Sequence, residues 1–387
     1  MALTHKTEPE IIPQYSLTGD LISYLRCGLQ YRYYSGSSLP PSRPVQQWFG
    51  EFIHGMLENA YRIWSAAAPV FPWPCNPTMP RASPPAGRQE YDLGTIGDIV
   101  EASLRAQGKN PRSRATRENA YQRVERAVNE LGPHLFPLIA LAEEKVIGTR
   151  TIPGAAGLRS TRYELHGVID VVTEIELTEA THTNVIAEAI RNACPGLAGN
   201  FEVIVDYKGA RRPTLGHPYW HQGNWQVQTY AWLRMRQPES RPVAAGVLLY
   251  VNELLPSQDD IADLQGEVAR GETDVIPPRG SRDEYLLNTW VRGAAVPEFS
   301  FEFRFRRAIH IIPVDDASRV VATNEFDNVV RQIEECVGHE EVAGRIIDNW
   351  GPTGDDATCI ACDFRHFCPN PSPRGDRPHV VTAPPAP

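Results

Sequence analysis

FEVIVDYK, residues 201–208, is the stretch on which the reading of this chain turns. Val203, Ile204 and Val205 are adjacent β-branched residues, the composition of a buried strand, and they run straight into Asp206 and Lys208. Side chains alternate along a strand, so Asp206 and Lys208 share one face and Tyr207 takes the other. A carboxylate and an amine so placed can hold a hard cation and the water that attacks a phosphodiester. An ordinary surface ion pair is the plainer alternative, and Asp-x-Lys by itself favours it.

The flanking segments add weight on both sides. RYELHGVIDVVTEIEL (162–177) reads as a strand in which Leu165, Gly167 and Ile169 oppose His166, Val168 and Asp170. Asp170 is thus an acid inside an apolar run, and a buried carboxylate needs a cation or donors beside it. EEKVIG (143–148) begins another strand, with Glu144 a further candidate support for the site. Beyond the basic turn of Gly209, Arg211, Arg212 and Pro213, residues 220–236 form a helix with Gln222, Gln226 and Tyr230 on one line. VAAGVLLYV (243–251) is a further buried strand. Upstream, a helix follows Pro40 and Pro41; its apolar stripe includes Trp48, Phe52 and Met56, and it carries Gly50, His54 and Glu58. His54 alone fits a solvent-facing histidine as well as a functional one. A first helix, from Asp20, contains Cys27 among tyrosines, where a packed core thiol is the default.

The remaining segments are less informative. Residues 1–15 read as a loose leader, and 72–90, with six prolines, as a surface loop. Residues 99–142 read as helices whose basic run, Arg105 to Arg126, is either a solvated face or a track for phosphates. Phe299, Phe301, Phe303 and Phe305 alternate with polar residues and predict a strand. A helix spans about 316–350, and the tail after Cys368, with seven prolines, is expected to be disordered. In 387 residues, 38 Lys and Arg against 47 Asp and Glu give a formal charge of -9, so any polyanion site must be locally basic. No apolar run nears the roughly 20 residues that span a bilayer, and the N-terminus has no apolar signal core, which predicts a cytoplasmic protein without membrane contact. Seven cysteines are too few for a disulfide scaffold.

Taken in order, GEFIHGMLE, GVIDVV, DYK and QVQTY resemble the PD-(D/E)XK nuclease superfamily, and in particular its RecB-like branch. The resemblance implies an α/β, restriction-endonuclease-like core with a central mixed β-sheet flanked by helices. It also implies that Asp170, Asp206 and the Tyr207 carbonyl hold Mg2+ or Mn2+, with His54 completing the shell. Lys208 would orient the nucleophilic water and offset developing charge, while Gln226 and Tyr230 position the strand.

The last motif is CIACDFRHFCP, in which Cys359, Cys362 and Cys368 stand in a C-x2-C-x5-C spacing. Three thiolates so close are strong soft donors that seldom stay unliganded, and they need a fourth ligand. The iron-sulfur members of the RecB-like branch, AddB-type and CRISPR-associated, take it from an N-terminal helix, where Cys27 stands. The resemblance therefore implies a 4Fe-4S cluster on Cys27, Cys359, Cys362 and Cys368 that joins the termini; structural zinc is the alternative. Cys336 is a fallback ligand. Expected divisions are N-terminal helices (1–71), a Pro-rich and basic insertion (72–142), the nuclease core (143–255), a strand and helix region ending in the cysteines (256–368) and the tail (369–387). The expected activity is a metal-dependent deoxyribonuclease, an exonuclease on single-stranded or frayed DNA ends, in repair, CRISPR adaptation or phage defence. Its expected partners are DNA and a helicase, integrase or defence protein. A catalytically inactive DNA-binding module of the same fold is the competing reading.

Overall fold

A computed structural model describes residues 12–36, 44–76, 90–176, 183–346, 348–353, 358–359, 362–365 and 368–369. Strand β1 (Gln14–Ser16) leads through one π-helical turn into α1 (Ile22–Arg26) and α2 (Gly28–Gly36), followed by the long α3 (Pro44–Ala67). Helices α4 (Leu93–Ala106) and α5 (Arg114–Leu135) precede β2 (Ile139–Thr151) and β3 (Arg162–Glu176). Then come α6 (Val185–Ala193), β4 (Asn200–Lys208), α7 (Pro218–Arg234) and β5 (Val243–Tyr250). Three helices, α8 (Gln258–Arg270), α9 (Arg282–Thr289) and α10 (Phe301–Ala308), lead to β6 (Ile309–Pro313) and α11 (Asp316–Ala343).

The strands form one mixed sheet in the order β1-β3-β4-β5-β6, with β2 on the other edge of β3. β1 runs parallel to β3 over Glu164–His166, whereas β4 pairs antiparallel with β3 only from Val171 onward. β1 and β4 thus share one edge of β3, and neither pairs with it between Gly167 and Asp170. Continuing the β3–β4 register past Val171↔Val205 sets Asp170 opposite Asp206, where the two strands part. Beyond that point β4 is held by β5 alone, in parallel, through Lys208↔Tyr250.

Two cores sandwich the sheet. On one face, α3 to α6 pack against Val203, Val205, Tyr207, Ala245 and Val247. On the other, α7, α11 and the N-terminal helices pack against Leu165, Ile169, Val172 and Ile204. The alternation expected for FEVIVDYK sends Val203, Val205 and Tyr207 to the first face and Ile204 to the second. A satellite core joins α8, α9 and α10. The expected central mixed sheet flanked by helices is therefore present.

Three departures from the sequence reading have local causes. The phenylalanine run is helix α10, not a strand: Ser300 caps it by accepting from Phe303 N, and Phe299–Phe303 and Phe301–Phe305 meet as i,i+4 ring pairs. A period of two also satisfies i,i+4, so the alternation did not discriminate. The supposed leader supplies β1, with Tyr15 buried. The short strand β6 was not anticipated because its five residues leave too little pattern to read.

The two ends of the described chain are joined, but not by a cluster. Tyr15 Oη donates to Glu334, which also accepts from Arg159 at 2.6 and 2.8 Å. Arg32 forks onto Glu340 at 2.7 and 2.6 Å, and Trp350 Nε1 donates to the same carboxylate. Tyr33 stacks on Phe364 at 4.8 Å. Most of the 369–387 tail lies outside the described residues.

Candidate active site

The site forms where β3 and β4 part. Asp206 is almost fully buried at the end of β4 because Ile204 before it packs under α7 and draws the strand into the core. Its Oδ2 lies 2.5 Å from Lys208 Nζ, and Lys208 donates to Gln226 Oε1 at 2.6 Å. Gln226 Nε2 in turn donates to Asp206 Oδ1 at 2.9 Å, closing a triangle of carboxylate, ammonium and amide. Burial pushes the Asp206 carboxyl upward; Lys208 opposes the shift, the Asp170 charge adds to it, and the net direction is up.

Asp170 stands across the gap. Its Oδ2 accepts from Tyr207 N at 2.8 Å and faces His54 Nδ1 at 3.3 Å. His54 comes from the middle of α3, and its ring meets the Tyr207 ring edge-on at 5.9 Å. Burial works against a charged His54, but the hydrogen bond and charge of Asp170 outweigh it and the pKa is pushed up to about 9. The ring is thus an imidazolium at neutral pH. Tyr230 is buried one turn beyond Gln226, its ring so close to Gly167 that a Cβ there would stand 2.6 Å from it. Burial raises the Tyr230 phenol, which keeps it neutral.

His54 and Asp170 also line an open cleft of about 800 Å3, together with Glu51, Glu58 and Glu143. Glu143 was not anticipated; its neighbour Glu144 was, but Glu144 turns to Arg234 at 3.7 Å. Glu143 adopts a left-handed backbone, φ 53°, which breaks the alternation of β2 and delivers its carboxyl to the cleft. Burial first, then the charges of Asp170 and Glu58, push its pKa up to about 6. The EE pair of EEKVIG was the available signal, and only the backbone conformation selects between its members.

The basic run of the helical region is largely occupied. Arg117 pairs with Glu101 at 2.5 Å, Arg123 with Asp260 at 3.2 Å, Arg126 with Glu130 at 2.9 Å and Lys109 with Glu51 at 2.6 Å. These side chains brace helices rather than offer a phosphate track.

The cofactor expectations require correction. Among the described residues, no group of three or more His, Cys, Asp or Glu side chains is arranged to hold a metal ion. Cys27, Cys359, Cys362 and Cys368 line one cavity, but it measures about 20 Å3, room for a single water at most. The 4Fe-4S cluster, its zinc alternative and the joining of the termini through such a centre are therefore withdrawn. Cys336, the fallback ligand, lies 3.8 Å from Tyr24 Oη instead. The same finding removes the Mg2+ or Mn2+ centre. Asp170 Oδ2 is engaged by Tyr207 and His54, Asp206 by Lys208 and Gln226, and Tyr207 offers its N–H to the site.

A family model described as the PD-(D/E)XK nuclease superfamily matches residues 19–185. The match takes in α3 with His54 and β3 with Asp170, and ends before Asp206 and Lys208. It covers less than half of the chain and lends no support to the RecB-like branch or to an iron-sulfur motif. No curated protein matches the chain. The match supports a phosphodiester-cleaving hydrolase activity for this chain. No described helix is long and apolar enough to cross a membrane.

Proposed function

We propose that the protein is a deoxyribonuclease acting at single-stranded or frayed DNA ends, with Asp170, Asp206, Lys208 and Gln226 as its working residues. The observation that carries this reading is the convergence of Asp206, Lys208 and Gln226 on one triangle, with Asp170 across the strand gap. Lys208 offers its ammonium to the scissile phosphate and offsets the negative charge that grows as water attacks phosphorus. Asp206 and Gln226 hold the ammonium in one place, so little reorganisation accompanies the reaction. Asp170 keeps its second oxygen without a hydrogen bond among the described residues and accepts the proton of the attacking water, and as the new P–O bond forms the bond from phosphorus to the leaving sugar oxygen breaks, with solvent water protonating that oxygen. The His54 imidazolium adds a second positive charge on the cleft side. Tyr230 stiffens the α7 wall behind Gln226.

Labelled single- and double-stranded DNA incubated with the wild type and with Lys208→Ala tests the reading. The wild type is expected to shorten the single strand and the variant to lose at least about 100-fold in rate, the scale of one lost charge-stabilising donor. Equal cleavage by the two proteins rules the assignment out. Parallel reactions in chelator and with added Mg2+ or Mn2+ measure any cation requirement. A helicase, integrase or defence protein is the proposed protein partner, to be sought by co-purification with the full-length chain.

A further inference from the structure

We propose that the hollow beside Lys208, on the α7 side of the sheet, seats one unpaired nucleotide of the strand, with Tyr219 as platform for its base and Arg26 as clamp on its phosphate. The assignment rests on the reading of Lys208 as the residue that meets the scissile phosphate.

The hollow measures about 280 Å3, and Lys208 and Gln226 belong to its lining. Tyr219 and Gln222, on the first two turns of α7, form one wall, and Ile22 and Arg26 of α1 contribute another. Every charged side chain that lines it is a cation: Arg26, Lys208 and Arg211. The cleft on the His54 side is lined by four carboxylates against the single imidazolium of His54, so its net charge is negative. A polyanion that has placed one phosphate on Lys208 is therefore repelled in one direction and drawn in the other.

The two cations beside Lys208 are not equivalent. Arg211 is engaged by Glu267 at 2.7 Å and Asp263 at 3.3 Å. Arg26 is exposed and has no ion-pair partner among the described residues; its guanidinium lies over the Tyr219 ring, 5.4 Å from the centroid. A planar guanidinium matches a phosphate with two parallel donors, and one already placed over an aromatic ring loses less freedom on binding. Tyr219 is half-exposed, and the His217 ring lies against it at 4.8 Å, tilted by 48°, so the tyrosine is braced while its side chain stays accessible.

The size of the site selects the substrate. A hollow of this volume admits one base and its sugar, not a duplex, and a base can present its flat face to Tyr219 only after leaving its own stack. Gln222 adds an amide at the rim, able to meet a base edge as donor or acceptor. Single strands and frayed ends fit this recognition, and blunt duplexes do not.

Equilibrium binding of fluorescent oligonucleotides to the full-length protein, followed by anisotropy, tests the proposal without requiring turnover. The wild type is expected to prefer a single strand to the blunt duplex of the same sequence. Tyr219→Ala is expected to weaken single-strand binding about 10-fold, as for one lost stacked base, with Tyr219→Phe close to the wild type. Arg26→Ala is expected to lower affinity and flatten its salt dependence, and Arg26→Lys to restore part of both. Oligonucleotides carrying one abasic position, moved along the strand, supply the decisive comparison. At one position the missing base should cost the wild type about as much as Tyr219→Ala does, and cost Tyr219→Ala little more. Wild-type affinity in Tyr219→Ala and Arg26→Ala, or an abasic penalty undiminished in Tyr219→Ala, overturns the proposal. Because Lys208→Ala cleavage is scored separately, this failure and that of the nuclease assignment are distinguishable.

Discussion

His54 carries its charge because Asp170 faces it, and that dependence is open to measurement. In the folded chain burial disfavours the charged ring, yet Asp170 reverses the balance and the ring titrates at about 9. In an unfolded chain a histidine titrates at about 6.5. The folded state therefore binds this proton more tightly, and the pair's contribution is fully present below about 6.5 and is lost as pH rises through about 9. Thermal melts across that window should decline for the wild type and decline less for His54→Gln; matching slopes would mean that the pair contributes nothing. The side chain is about one-third exposed, so screening keeps the effect modest. His54, Asp170, Asp206, Lys208 and Gln226 could all be named from sequence because each lies at a regular position on a helix or strand. Glu143 could not, since its place depends on one left-handed residue that interrupts the strand alternation.

At the scale of elements, α7 governs the site, since it supplies Gln226 to the triangle and Tyr219 to the hollow. Arg234 anchors its far end through a buried fork onto Glu202 of β4, at 2.7 and 2.8 Å. In the middle the helix lies flush on β5, and a Cβ added at Gly246 would stand 2.1 Å from Val227 Cγ1. Gly246→Ala is expected to cost about 1–3 kcal/mol by overpacking and to displace Gln226 from Asp206. Val227→Ala in the same chain should return part of that loss, so chemical denaturation of the two single variants and the double should be clearly non-additive. Additive losses would show that the two residues do not meet. The same elements set the limit of the sequence reading. Long periodic helices such as α3 and α7 and the β-branched β4 carry their own signatures. The three-residue β1 does not, because only its place on the free stretch of β3 makes it a strand. The capped α10 defeats the pattern for a different reason, since its phenylalanines satisfy two periods at once.

Over the whole molecule, a formal charge of -9 confines strand binding to a few residues. Three of the α5 arginines are engaged in ion pairs, and the cations that line the proposed seat are Lys208, Arg26 and Arg211. Two or three such contacts predict a log affinity that falls with log salt at a slope between about −1.4 and −2 for single strands. Anisotropy titrations from low to moderate salt measure it, and a slope steeper than about −5 would place the main binding surface elsewhere. The joining of the two ends bears on the order in which the protein becomes competent. The hydrogen bond from Tyr15 to Glu334 spans 319 positions of sequence, and the helix that carries Arg26 sits on the core closed by that contact. A ribosome delivers α3, β3, β4 and α7 long before α11 emerges. The nascent chain therefore possesses Lys208 while the wall that receives the strand is still waiting for its support, and the hollow is finished only after α11 is in place.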